Sequence, residues 1–181
     1  MGKFIIVGCD LHDKSMLLKV AVDQGEPETM HVPNTLEGRQ KMIRDLQQRA
    51  ALHPGSRIVF AYEASSQGFG LHDELVAAGI LCHVLAPTKM KKSVQERKRK
   101  TDDRDAQQIL ELLRGHLLAG NHLPVVWIPD RALREDRELV RSRLDAAEKV
   151  VAMKAQIRML LKRNGLRAPE NTSRYWGKNY Y

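Results

Sequence analysis

Three acidic residues fall within four positions at a predicted helix start, a pattern that can bind a metal ion. Residues 100–106 read Lys-Thr-Asp-Asp-Arg-Asp-Ala. Thr101 is a favourable N-cap, because its hydroxyl can accept a hydrogen bond from a first-turn N–H. The helix dipole favours acidic residues directly after the cap. These local effects account for Asp102 and Asp103 but not for Asp105.

The predicted inward face of this helix carries carboxylates. Helical spacing places on one face Asp105, Ile109, Leu112, Leu113 and His116. Asp102, three residues before Asp105, joins that face. Asp103 points about 100° away and is interpreted as solvated. Buried carboxylates are costly unless they are paired or bind a metal, so further acids meeting this pair would form a divalent-cation site.

Two more acids end apolar runs that are typical of buried strands. The run 4–9 ends at Asp10, and the run 57–62 ends at Glu63. In open α/β sheets, ligands gather at the carboxyl ends of strands, and hard cations such as Mg²⁺ or Mn²⁺ bind through oxygen ligands. The candidate ligands are Asp10, Glu63, Asp102 and Asp105.

Three of these four acids also have an interpretation in which they bind no metal. Asp10 could be a turn residue, Glu63 a surface acid at a strand end, and Asp102 only a helix-start acid. Asp13 and Asp73 are interpreted as surface residues, although Asp13 lies close enough in sequence to assist.

Histidines and serines near these acids are weaker candidates. The seven histidines show no metal-ligand spacing. His12 and His116 could approach the site, but the favoured interpretation of both is structural. Ser65 and Ser66 follow Glu63 and could touch a phosphate, although loop hydroxyls often have no such role.

The charge balance favours a polyanionic partner, nucleic acid first. The net charge of the 181 residues is +8 and the pI is about 9.7. A second basic group runs along 134–167 and could be a solvated face. The candidate DNA-binding residues, which surround the acidic segment, are Lys89, Lys91, Lys92, Arg97, Lys98, Arg99, Lys100 and Arg104.

The two cysteines, Cys9 and Cys82, lie in predicted buried strands and act there as small apolar residues. That usage predicts no disulfide and a cytoplasmic location. The sequence shows neither a signal peptide nor an apolar run near the roughly 20 residues of a membrane span, so no membrane partner is expected.

Hydrophobic periodicity predicts an α/β domain with a mixed sheet. The predicted strands are 4–10, 17–22, 29–32, 57–62 and 80–85. The predicted helices are one that Asn34 or Thr35 caps and that runs to about 52, one ending near 78, one at 102–119 and one at 131–164. The first three strands have short links and should form an antiparallel meander. From the third strand onward, strands alternate with helices in the order β-α-β-α-β, which is typical of a mixed sheet with helices on its faces. Residues 124–129 could be an edge strand or an arm packed on the core. This order matches the ribonuclease H-like fold.

These residues together resemble a known family. Asp10 after a strand, Glu63 within Tyr-Glu-Ala-Ser and the 100–106 segment look like the DEDD set of the IS110-family transposases, whose catalytic domain is similar to the Holliday-junction resolvase RuvC. Residues 34–38 and 86–89 and the long Arg-rich helix are similar to further family landmarks. The resemblance covers residues 3–166.

The resemblance implies a division of the chain. Residues 1–122 would be the RuvC-like catalytic domain, 123–166 an extended arm and a long protruding helix, and 167–181 a tail. Family members carry a further C-terminal domain with a serine thought to attack DNA. The chain stops before that domain, so we expect it not to complete recombination alone.

The resemblance also implies the chemistry. The catalytic and metal-binding set would be Asp10, Glu63, Asp102 and Asp105. The implied partners are Mg²⁺ or Mn²⁺, DNA, in some members a bridge-type RNA, and further copies of the chain, as a dimer or tetramer built partly on the long helix. The expected reaction is metal-dependent DNA strand cleavage and exchange, with Asp10 as a bridging ligand.

Three other functions compete with this one. A stand-alone nuclease of the Holliday-junction type would use the same acids with water as nucleophile. An actin-like sugar kinase or ATPase would need a second glycine-rich loop and a longer chain. A non-catalytic nucleic-acid-binding or oligomerisation module would bind DNA with a steep salt dependence and tolerate loss of the acids.

Overall fold

Five strands form one sheet in a computed structural model of the chain, which describes residues 3–89 and 101–166. Short links join the first three strands, as predicted. The strands are β1 (Phe4–Leu11), β2 (Ser15–Val22), β3 (Glu28–Pro33), β4 (Arg57–Glu63) and β5 (Leu81–Leu85). Each is rich in β-branched or aliphatic residues, which favour a pleated, half-buried surface.

The sheet is mixed, with the order β3-β2-β1-β4-β5. β1 pairs with β2, and β2 with β3, in antiparallel directions. β1 also pairs with β4, and β4 with β5, in parallel. This order and these directions are those of the ribonuclease H-like fold, so the predicted fold class is confirmed. The first strand therefore lies at the centre of the sheet.

Two helices, α1 (Leu36–Ala51) and α2 (Gly70–Ala77), cover one face of the sheet. Thr35 caps α1, and its hydroxyl accepts a hydrogen bond from the Gly38 N–H at 3.1 Å. The core on this face consists of large apolar side chains. From the helices they are Met42, Leu46, Leu71 and Leu75, and from the strands they include Ile5, Leu18, Phe60 and Val84.

One helix, α3 (Asp102–Ala119), covers the opposite face. Its buried side chains pack on Ile6, Ala21, Val59 and Ala61. The helix backbone lies directly on the first strand at Gly8, because a Cβ there would be 2.4 Å from the Ala106 carbonyl oxygen. Only glycine permits such an approach. Gly120, at a φ of 72°, ends the helix.

The segment after α3 runs along the edge of the sheet. Val125 forms a single antiparallel bridge with Leu85, and the Val126 N–H donates to the Val84 carbonyl at 2.8 Å. Leu123 is buried beneath α3. The segment is therefore an arm packed on the core that pairs only briefly with β5.

The last helix, α4 (Arg131–Arg163), is 33 residues long. The chain divides between Ile128 and Pro129 into two compact units, and α4 lies in the second. The Asp130 carboxylate caps it by accepting a hydrogen bond from the Leu133 N–H at 2.8 Å. None of the described residues of α4 is buried.

Both cysteines are buried and free, as expected. Burial raises the pKa of the Cys82 thiol to about 12, which keeps it in its unreactive form. Among the described residues, no helix combines the length and apolar composition needed to cross a bilayer. Predictions about Lys91, Lys92 and residues 97–100, and about the tail 167–181, fall outside the described residues.

Candidate metal centre

Two strand-end carboxylates lie on the sheet face that α3 covers. Cys9 is opposite Tyr62 in the parallel pairing of β1 with β4, so Asp10 and Glu63 follow at the carboxyl ends of adjacent strands. Side chains alternate between the two faces along a strand. Asp10 therefore shares a face with Ile6, which belongs to the core beneath α3. Glu63 shares that face in the same way.

The start of α3 brings two more carboxylates to this edge. Thr101 is the N-cap residue, as predicted, and its carbonyl oxygen accepts from the Arg104 and Asp105 N–H groups at 3.0 and 3.1 Å. Its side chain forms no capping hydrogen bond, so the expected role of the hydroxyl is wrong. The backbone alone starts the helix here.

The predicted inward face of α3 is partly wrong. The side chains that are buried are Ala106, Ile109, Leu110 and Leu113. Leu112 and His116 are only partly buried. The close approach at Gly8 explains the difference, because it places the small Ala106 side chain on the strand. Asp102, four residues before Ala106, then lies directly above the buried stripe, with Asp105 to one side.

Asp10, His12 and Asp102 form a compact group of potential metal ligands. The His12 Nε2 atom is 3.0 Å from Asp10 Oδ2 and 3.4 Å from Asp102 Oδ1. One ligand atom from each residue lies within 4.8 Å of the other two, the only such group in the described part of the chain. His12, which could approach the site but for which a structural role was favoured, therefore lies beside both carboxylates. Its only sequence signal was its place two residues after Asp10, because His12 lies beyond the end of β1 and strand periodicity does not fix its direction.

The side chains of the group differ in their exposure to solvent. The Asp10 side chain is 15% exposed, and that of Asp102 is 61% exposed. Burial raises the pKa of Asp10, and the charges of Asp102 and Asp105 raise it further, whereas His12 lowers it. Asp105 is therefore close enough to act on Asp10 electrostatically.

His12 balances part of this negative charge. Desolvation lowers the pKa of His12, but the charges of Asp10 and Asp102 and its hydrogen bonds to them outweigh that effect, so the pKa is raised. A half-enclosed carboxylate beside two others favours any nearby cation. One nitrogen and several oxygens are a donor set that divalent metal ions accept.

Glu63 and Asp105 stand outside the compact group. Both are partly buried. Glu63 lies at the end of the strand beside β1, and Asp105 lies in the first turn of α3. They flank the group and have the right chemistry to extend it.

Asp103 is exposed, as predicted, but it is also paired. The Lys19 Nζ atom lies 2.5 Å from Asp103 Oδ1 and donates to the Thr29 hydroxyl at 2.8 Å. Lys19 is almost fully buried on β2, next to Gly8 in the strand pairing. The pair therefore attaches the first turn of α3 to the sheet. A lone lysine in an apolar strand was its only sequence signal.

The remaining candidates divide by position. His116 lies near the far end of α3, about 21 Å from Asp102 at 1.5 Å per residue, and its ring nitrogen lies 2.7 Å from the Asn121 carbonyl oxygen. It is structural, as interpreted. Asp13 and Asp73 are exposed. Ser65 and Ser66 line a groove beside His12.

Two of the eight candidate DNA-binding residues, Lys89 and Arg104, lie in the part of the chain that the structure describes. Lys89 lies in a short 3-10 turn after β5, and Arg104 lies in the first turn of α3; both are exposed. Both side chains therefore reach solvent.

Comparisons with known proteins identify related sequences. Residues 7–164 match the family of DEDD transposases of the IS110 type, described as transposase. The chain is 32% identical over 123 residues to "Putative transposase y4qE" of Sinorhizobium fredii (strain NBRC 101917 / NGR234). That alignment covers 68% of the chain but 30% of the relative, so the chain spans less than a third of the relative's length.

Among solved structures, the chain is similar to T. thermophilus RuvC in complex with Holliday junction substrate. The TM-score is 0.40 at 10% identity, with 70% of this chain and 100% of that chain covered.

Proposed function

The chain belongs to the IS110 family of DEDD transposases, and we propose that its first compact unit is the metal-dependent DNA-cleaving domain of such an enzyme. The single observation that carries the proposal is the group of Asp10, His12 and Asp102, whose ligand atoms lie within 4.8 Å of one another. The carboxylate oxygens of Asp10 and Asp102 are ligands that Mg²⁺ and Mn²⁺ accept.

Five side chains have roles in the proposed site. Asp10 is the central ligand, because it is the most enclosed and ends the middle strand. Asp102 and His12 bind from the other sides. Glu63 and Asp105 complete the set, and Asp105 already acts on Asp10 through its charge.

The reaction we propose is cleavage of a DNA phosphodiester. Bound divalent cations supply positive charge that stabilises the phosphate and the leaving oxygen. The acids position the scissile phosphate, and Lys89 and Arg104 bind the flanking backbone through contacts that weaken with salt. In the intact enzyme, the serine that the family resemblance implies in a C-terminal domain would attack the phosphorus, and the DNA oxygen would leave. Without that domain, water would be the nucleophile, so the expected reaction is hydrolytic cleavage without strand exchange.

We also propose that copies of the chain associate through α4. Apolar residues recur along one side of this helix at spacings of seven, four and seven, and all are exposed: Leu133, Val140, Leu144 and Val151. An amphipathic helix that buries none of its apolar side is typical of a helix that pairs. Light scattering of the parent and of Leu144→Glu should show a dimer or tetramer that the substitution dissociates. A monomeric parent would contradict this association.

A bridge-type RNA partner stays a prediction from the resemblance.

The test of the proposed site is metal binding by the 181-residue chain. Calorimetry with Mn²⁺ should show binding that Asp10→Asn and Asp102→Asn abolish and that Glu63→Gln weakens. Glu37→Gln removes an exposed helix-start acid on the other face of the sheet and serves as the matched control. It should leave Mn²⁺ binding unchanged.

A second measurement connects the metal to DNA. Branched and linear duplexes should be bound by the parent with an affinity that falls as salt rises. Equal Mn²⁺ binding by the parent and by Asp10→Asn would show that the metal site lies elsewhere. DNA binding without any Mn²⁺ binding would leave a nucleic-acid-binding module.

A further inference from the structure

A groove of about 520 Å³ opens beside the metal centre. It runs between the turn that joins β1 to β2 and the loop that follows β4, and it is shallow and open to solvent along its length. His12 belongs to both the groove and the metal centre. A ligand in this groove would therefore lie directly against the group that we propose binds the cation.

The lining of the groove suits a phosphate ester rather than an apolar ligand. Lys14 supplies a cation, and three hydroxyls come from Ser15, Ser65 and Ser66. Ammonium and hydroxyl groups donate hydrogen bonds to phosphate oxygens. Leu11 is the only apolar side chain in the lining, so the groove offers no aromatic surface on which a base could stack.

One residue of the groove wall, Asp13, carries a negative charge that would repel an anion. Asp13 also lines the groove, and its formal charge offsets that of Lys14. Its Oδ1 atom accepts a hydrogen bond from Gln67 Nε2 at 3.1 Å. A phosphate there would consequently rely mainly on the hydroxyl donors, and a cation held beside His12 would strengthen its binding.

Hydrogen bonds hold the two walls at a fixed separation. The Asn34 side-chain amide donates to Gln67 Oε1 at 2.8 Å and to the His12 carbonyl oxygen at 2.8 Å. The Asn34 backbone N–H donates to the Lys14 carbonyl at 3.0 Å. One residue between β3 and α1 thus holds the turn on one side and the loop on the other.

Asn34 is itself anchored. Its Oδ1 atom accepts from Arg39 at 2.9 Å, and Arg39 forms a two-pronged ion pair with Glu74 at 2.7 and 2.8 Å. Paired guanidinium and carboxylate groups of this kind are geometrically well defined. The network therefore connects α1 and α2 to the rim of the groove, and the groove is preorganised rather than formed around a ligand.

We propose that this groove binds one sugar-phosphate unit of a DNA strand immediately beside the cleaved phosphate. Lys14 and the hydroxyls of Ser65 and Ser66 contact that unit, and Gln67 and Asn34 keep the walls apart. The contacts go to the backbone, so they position the strand without reading its sequence. This proposal rests on the proposed function and adds a strand-binding subsite to it.

Fluorescence anisotropy of a short single-stranded DNA tests the subsite, with Ca²⁺ present in place of Mg²⁺. The test variants are Lys14→Ala and the double variant Ser65→Ala/Ser66→Ala. Lys41→Ala, an exposed lysine on α1, is the matched control. Lys14→Ala should weaken binding about tenfold and reduce the salt slope by about 0.7, and the double serine variant should also weaken it. Lys41→Ala should bind like the parent.

Calorimetry with Mn²⁺ on the same variants separates the two proposals. Unchanged Mn²⁺ affinity with weakened DNA binding supports the subsite. Parent-like DNA binding by both groove variants overturns the subsite and leaves the metal centre standing. A parent that binds no Mn²⁺, but whose DNA affinity still falls in the groove variants, overturns the metal centre and leaves the subsite standing.

Discussion

The two faces of the sheet are built differently, although they share the same strands. One face is covered by α1 and α2, and its core consists of large apolar side chains. Among the described elements, α3 covers the other face, and small residues lie at the interface, among them Gly8, Ala61 and Ala106. The acidic group lies at the edge of this second face.

Because of this difference, one face contributes mainly to folding stability and the other face positions the acidic group. Large side chains on the first face bury much apolar surface, which is the dominant favourable term in folding. Small residues on the second face let α3 approach closely enough for Asp102 to meet Asp10 and His12. We expect substitutions on the first face to change stability without changing the site, and those on the second face to change both.

The largest expected loss of stability comes from the first face. Leu46→Ala removes a fully buried side chain of α1 and should lower the free energy of unfolding by about 2–5 kcal/mol. Urea unfolding measures that loss, and calorimetry on the folded variant should give the parent's Mn²⁺ affinity. A weaker Mn²⁺ affinity in folded Leu46→Ala would break the separation between the faces.

Gly8→Ala should cost less stability but disrupt the site. The added Cβ meets the Ala106 carbonyl oxygen and the Leu110 nitrogen at 2.4 Å, both backbone atoms. Overpacking of this kind costs about 1–3 kcal/mol, and the displaced helix carries Asp102 away from Asp10. Mn²⁺ affinity should fall sharply. Gly70→Ala is the control, because its Cβ meets open space; if it lost Mn²⁺ affinity as well, close approach at Gly8 would not be the cause.

A smaller effect concerns acid stability on the α3 face. Burial lowers the pKa of His83, and the nearby His116 and His72 lower it further; the His83 and His116 rings meet edge to face. The unfolded chain therefore binds the proton more readily, so stability present above the unfolded pKa is lost as the pH falls through the folded pKa.

Replacing His83 should reduce the loss of folding stability that occurs as the pH falls. Denaturant midpoints measured between about pH 7.5 and pH 5.5 should fall less for His83→Phe than for the parent. His31→Phe, an exposed position on β3, should keep the parent's slope. Identical slopes for His83→Phe and the parent would place the acid response elsewhere.

The smallest expected effect is the coupling between Lys19 and Asp103. The lysine side chain is 11% exposed but the aspartate is 58% exposed, so solvent screens the pair. A double-mutant cycle with Lys19→Met and Asp103→Asn should give a coupling free energy of about 0.5–1 kcal/mol. A coupling near zero would mean that packing alone holds the start of α3 on the sheet.

Local sequence patterns predicted most of the fold. Strand alternation and apolar runs predicted all five strands, and Thr35 was one of the two candidate caps for α1. These features depend on residues near one another in the chain. The meeting of Asp10 with Asp102 was also predictable, because strand ends and helix starts gather at one edge of such a sheet.

Apart from the missing hydrogen bond of the Thr101 hydroxyl, the errors involve contacts between distant segments. The rotation of α3 depends on Gly8, almost a hundred residues earlier, and the pairing of Asp103 depends on Lys19. His12 joined the acidic group only because the turn after β1 faces the start of α3. No periodicity within one element encodes such a contact. The roles of Glu63 and Asp105 stay predictions until metal binding is measured.

The packing of α3 on Gly8 also determines the stage of folding at which the proposed metal site can assemble. Asp10 and Asp102 are about ninety residues apart, and contacts of such long sequence separation are slow to form. During synthesis, the sheet strands leave the ribosome before α3 does, so a growing chain holds Asp10 and His12 without Asp102. The proposed nuclease site would then be assembled only after the last element of the domain has docked, and a partly made chain would not cut the DNA that encodes it.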